Sequence, residues 1–233
     1  MEQRPYSAGE WPAGGQPARQ PAEEPESAER TPWERAGASF PRDLFASWME
    51  CMAHPSLFFR RLDPAVPFST PLIFYLVFSV LGSAAFTASS IAFLPAMYAA
   101  EGAASSPEGH LLWFFLSPFI AVFSLVFYVL FTHLGVLLFV RDGRPIGVTA
   151  RSLCYVAAPG VLNIVPFIGW LAAFIWSLWL AVVAIQQAHR TTGGRAFAAV
   201  FVIPFLVSFL VFLAIVLFVL MAVATFGTGS ATG

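Results

Sequence analysis

The stretch Ser152–Gln187 carries no charged side chain and is broken by Pro159, Gly160, Asn163, Pro166 and Gly169. As one helix it would run about 54 Å at 1.5 Å per residue, against a hydrocarbon core of about 30 Å. Split at Asn163–Gly169, it gives two segments of about 17 residues, each just long enough to cross once. The flanking charges select this division. Two crossings put Arg141, Arg144 and Arg151 on the same side as Arg190 and Arg195, together with Arg60 and Arg61. A single crossing would divide those arginines between two faces, against the tendency of cationic loops to stay on the cytoplasmic side. A re-entrant hairpin that dips in and returns keeps the same sidedness and stands as the alternative geometry.

The remaining apolar runs complete the pattern. They predict an all-α polytopic membrane bundle of five transmembrane helices, at about 71–93, 111–140, 150–166, 168–187 and 196–223 within a membrane domain over 70–224. Pro71 falls in the first turn of its run, where a missing N–H costs little, and Pro118 is a candidate bend. Trp113 and Trp170 fall at the ends opposite the arginines, as an aromatic belt requires. Charged residues make up 11% of the chain, against about 25% in soluble domains. That is too few to cover a water-soluble surface. The arrangement expected is a multi-pass protein of the bacterial inner (plasma) membrane, N-terminus cytoplasmic and C-terminus outside.

Residues 1–38 are rich in Pro, Glu, Ala, Gly and Arg and are expected to be a disordered cytosolic tail. Over 39–69 the pattern turns juxtamembrane and helical. Leu44, Phe45, Trp48, Met49 and Met52 share one spacing, with Arg42, Asp43, Ser47 and Glu50 opposite, and Pro55 then opens a second short run. Two placements fit these N-terminal amphipathic helices. They lie in the membrane surface, with Trp48, Phe58 and Phe59 dipping in and Arg60 and Arg61 facing phosphates, or pack on the cytosolic ends of the bundle, and the two placements are compatible. Residues 225–233 read as a short uncharged tail.

Catalytic and coupling chemistry finds little to work with. The apolar runs hold no carboxylate for proton or sodium coupling. No HExxH, GxSxG or phosphate-cradling loop occurs. The chain has no lysine, and Cys51 and Cys154 are in neither a metal-type spacing nor a favourable disulfide context. The expectation is therefore a non-enzyme with no catalytic residues, cofactor or metal. His133 is the ionisable group deep in an apolar run, read first as a hydrogen-bonding or snorkelling residue. With Asn163 it forms the polar site of an alternative reading, a small transporter or channel component. The small residues Gly82, Ser83, Ala84, Ala85, Ala88 and Ser89 suit close helix approach, within the bundle or between copies.

The order of landmarks resembles a known family. An amphipathic lead-in with Pro55 and Phe59 precedes a span opening at Pro71, and then come Arg151, Tyr155, Pro159, Pro166, Gly169, Trp176, His189, Arg195 and Ala196. This is similar to the bacterial branch of the Yip family, integral membrane proteins named for interaction with Ypt/Rab GTPases, over roughly 43–220. The resemblance implies a five-span bundle with a cytosolic N-terminus and an adaptor, scaffold or membrane-organising role. Its partners would be membrane lipids, a protein on the cytosolic face and further copies of the chain, with no nucleic acid.

Overall fold

The computed structural model describes residues 30–101 and 107–227, with side chains placed over 30–93 and 109–221. Its helices are α1 (Arg42–Ala53), α2 (Pro55–Arg60), α3 (Ser69–Glu101), α4 (Pro107–Phe139), α5 (Ile146–Cys154), α6 (Gly169–Ala188) and α7 (Gly193–Gly227). Two 3-10 elements, Pro32–Glu34 and Tyr155–Ile164, precede α1 and follow α5. Among the described residues no strand occurs. Four helices are long and apolar enough to cross a membrane: Ser69–Phe93, Gly109–Phe139, Gly169–Ala188 and Gly193–Met221. Their outward faces stay apolar, as with Phe119 and Phe218, because lipid is as good a neighbour for such side chains as a protein core.

The remaining expected span, 150–166, takes a different form. It is built from α5 and the 3-10 segment, and it is not one of those four helices. Pro159 lies inside the segment and cannot donate the bond that closes an α-turn. Close packing accounts for the rest. A Cβ added to Gly82 would come within 3.0 Å of the Gly160 Cα, so α3 and the segment touch backbone to backbone. The small-residue run of α3 is thus spent at least partly inside the molecule. Tyr155, Val156, Ala158 and Pro159 are buried there, with α3 on one side and α6 on the other. Beyond the segment, Phe167 adopts a φ of 62°. Gly169 opens α6 where a Cβ would collide with the Leu162 carbonyl oxygen. Pro166 and Gly169 therefore bracket a tight reversal.

The lead-in helices pack onto the bundle. Leu44, Ser47 and Cys51 form the buried face of α1. The Trp48 indole donates to the Ala158 carbonyl oxygen at 2.8 Å and stacks on Phe78. Phe58 and Phe59 belong to the core, where Phe58 and Phe74 flank Tyr155 with ring centroids at 4.9 and 4.7 Å. Of the two placements open in the sequence, these rings take the one against protein, while Phe45 and Met49 face outward at 60% and 48% exposure. On the far side of the bundle, Gly135 of α4 lies so close to Ala199 of α7 that a Cβ would meet its backbone.

The tail also differs from expectation at its inner end. Residues 1–29 lie outside the described residues, but 30–38 are placed and carry a 3-10 turn. At the other terminus, α7 continues to Gly227, and 228–233 lie outside the described residues.

Candidate functional site

Two buried polar networks meet on α5, at the end of the bundle where Arg60, Arg61, Arg141, Arg144, Arg151, Arg190 and Arg195 gather along the chain. The first is centred on Glu34, whose side chain has no exposed surface. The Tyr155 hydroxyl donates to Glu34 Oε1 at 2.8 Å, and the Asp63 backbone N–H donates to Oε2 at 3.2 Å. Arg151 stands 3.9 Å from the same carboxylate and donates to the carbonyl oxygens of Pro64 and Val66. Burial raises the Glu34 pKa from the ordinary carboxylate value. The Tyr155 and Asp63 hydrogen bonds, and more weakly the Arg151 charge, pull it back down.

Around this carboxylate, residues 30–35 form a strap. The Trp33 backbone N–H donates to Ser47 Oγ on α1, and its indole N–H donates to the Thr70 carbonyl oxygen, both at 2.8 Å. Arg30 pairs with Asp63 at 2.7 Å near the surface, where an ion pair is worth about 0–1 kcal/mol. Glu50 of α1 pairs with Arg61 after α2. The strap therefore links α1, the 61–68 connection, the start of α3 and α5 in one locked layer.

The second network is linear, and a backbone donor fixes the polarity of its His189 half. The Arg144 N–H donates to His189 Nδ1 at 3.0 Å, so a neutral His189 carries its proton on Nε2. That proton goes to Thr149 Oγ1 at 2.9 Å. The Thr149 hydroxyl is also hydrogen-bonded with His133 Nδ1 at 2.9 Å. Thr149 is fully buried and His189 nearly so. Burial holds the His189 pKa down to about 4, and the neighbouring charges of His133 and Arg144 push the same way. Each link is already committed to a partner, so the chain locks the ends of α4, α5 and α6 together.

The structure brings Arg151 and Tyr155 into the first network and His133 and His189 into the second. Pro55 opens α2, Phe59 joins the core beside it, and Pro159 shapes the 3-10 segment. Pro166 and Gly169 lie at the opposite reversal. Trp176 faces outward on α6, and Arg195 is exposed in the first turn of α7, so neither joins a network. His133 and Asn163 are apart: His133 bonds to Thr149, whereas Asn163 lines a cavity beside Trp170 near the far reversal.

Glu34 and Thr149 were not singled out from the sequence. Glu34 sits in a segment whose composition reads as unstructured, and the one hint was Trp33 beside it, a large apolar ring in a polar tail. Among the described residues no group of three or more His, Cys, Asp or Glu is placed to hold a metal ion. The family model described as Yip1 domain matches residues 49–230. No curated protein and no solved structure matches the chain.

Proposed function

On the premise that this chain belongs to the Yip1-domain family, we propose that it is a non-enzymatic membrane scaffold. It crosses the bacterial inner membrane five times, with the N-terminus cytoplasmic and the C-terminus outside. Its working surface is the arginine-bearing end, where lipid headgroups and an acidic protein partner dock. The locked layer at that end carries the reading. Glu34, Arg151 and Tyr155 fasten strap, lead-in helices and bundle into one rigid surface, while Arg42, Arg60, Arg190 and Arg195 remain exposed on it. A layer so committed to internal bonds suits holding a shape for others better than turning over a substrate.

Length supports the fifth crossing. At about 1.5 and 2.0 Å per residue, α5 and the 3-10 segment together extend about 33 Å, enough for a hydrocarbon core of about 30 Å. The reversal that follows shares a small cavity with Phe86 and Phe93, well along α3 from its arginine-end start. A dip and return within one leaflet would not reach so far. The transporter alternative needs His133 and Asn163 at one site, and their separation removes its motivation.

Chemical cross-linking and pull-down from native membranes test the scaffold reading. The expected result is a protein recovered with wild type and lost with the double variant Arg60→Glu/Arg195→Glu, both positions being exposed. Recovery of a solitary monomer, with neither partner nor anionic lipid enriched, would refute it.

A further inference from the structure

Between α3, α4, α6 and the 3-10 segment lies a cavity of about 900 Å³, at the upper end of the range of about 300–1,000 Å³ for ligand sites. Its α4 wall runs from His110 to Tyr128, a rise of about 27 Å, so the space is elongated along the helices. Phe86 and Ser124 line it and are also exposed on the outer surface, so it opens sideways towards lipid. Among the described residues, none of α4 beyond Tyr128 towards the arginine end lines it, which makes it a blind cleft and not a path across.

Hydroxyls are arranged along both long walls. Tyr75, Ser79 and Ser83 stand four residues apart on α3, and Ser124 and Tyr128 stand four apart on α4, spacings that put each set on one helix face. Some are satisfied internally: the Tyr75 hydroxyl donates to the Ala121 carbonyl oxygen at 2.9 Å and is hydrogen-bonded with Ser79. Ser83 Oγ has no partner, and the Ser124 and Tyr128 hydroxyls make no hydrogen bond among the described residues. Serines in membrane helices ordinarily bond back to a carbonyl one turn earlier, as Ser117 does with Phe114 at 2.7 Å. Three hydroxyls left unpaired at hydrocarbon depth are costly unless something else meets them. The lining contains no Asp, Glu or Arg, and its histidine, His110, stands at the far end of the α4 wall from Tyr128, so a phosphate drawn in beside the Ser124 and Tyr128 hydroxyls would find no counter-charge there.

We propose that this cleft binds one uncharged lipid bearing hydroxyl and ester oxygens, of diacylglycerol type. Its chains pack along Phe78, Phe86, Trp113 and Phe174, and its oxygens meet the Ser83, Ser124 and Tyr128 hydroxyls. No residue of the strap and none of the exposed arginines lines this cleft, so the site depends on neither.

The test uses full-length protein in phosphatidylcholine vesicles with a photoactivatable diacylglycerol at trace level. Saturable adducts are expected on the α3 and α4 peptides that line the cleft, displaced by excess unlabelled diacylglycerol and not by phosphatidylglycerol. The near-isosteric double variant Ser83→Ala/Tyr128→Phe should lower the labelling about tenfold, as the loss of two hydrogen bonds implies. Ser124→Trp, at an exposed position of the mouth, should block labelling without touching the core. Equal displacement by phosphatidylglycerol, labelling that does not saturate, or undiminished labelling of either variant would each overturn the proposal.

Discussion

Glu34 has its carboxylate enclosed by a phenol, a backbone N–H and a guanidinium, and its value to the fold depends on all three staying in place. Replacing it with Gln keeps the shape, removes the charge facing Arg151, and turns one acceptor into a donor. Glu34→Gln should cost about 2–3 kcal/mol, within the range for breaking buried polar pairs, read as a fall in thermal midpoint in detergent. His189 gives a pH signature of the opposite origin. Its pKa is about 4 in the fold and about 6.5 unfolded, so the unfolded chain binds the extra proton first. Its contribution to stability is complete above about pH 6.5 and is lost as the pH falls towards 4. Glu34, with a raised pKa, works the other way, gaining on acidification. The difference between the wild-type and His189→Gln stability profiles isolates the histidine. It should narrow steadily from pH 6.5 to 4, and a constant gap would show that the ring titrates freely.

Elements differ in how plainly the sequence announced them. The long helices α4 and α7 were legible because each contains an apolar run of crossing length, and α6 became legible once the stretch before it was divided at Asn163–Gly169. The segment proposed as the third crossing is legible in the sequence as a length between flanking charges, but not as a conformation. Its 3-10 form follows from Pro159 together with the contact between Gly82 and Gly160, and the second of these joins residues that only the fold brings together. The strap was illegible for the same reason, since Glu34 finds Tyr155 across 121 positions of sequence. Backbone contacts make the sharpest element-scale tests. Gly135→Ala should drive α4 off α7, and Gly169→Ala should open the reversal before α6. Each is expected to lower stability by about 1–3 kcal/mol, as overpacking does. Gly147→Ala, where a Cβ meets nothing within 4 Å, is the control that should leave the midpoint within about 0.5 kcal/mol of wild type.

At the scale of the whole molecule, the parity of crossings decides the sidedness of everything else. The five traverses proposed above would place the chain's two ends on opposite faces. A periplasm-active reporter fused after Gly233 should be active and a cytoplasm-active one silent; the reverse pairing would reduce the crossings to an even number. Cys51 and Cys154 are buried, so thiol labelling needs an introduced site. Ser56→Cys, exposed on α2, should react with an impermeant reagent only once the cytoplasmic side is opened.

The strap also bears on where recombinant fragments should begin. The family match starts at residue 49, and trimming to that point would look harmless, since every long helix survives. It would nonetheless discard Glu34, strip Arg151 of its counter-charge and uncover the seat of the Trp33 indole at Thr70. A fragment starting at Arg30 should purify like the intact chain, whereas one starting at residue 49 should insert into membranes yet unfold at lower temperature and aggregate on storage.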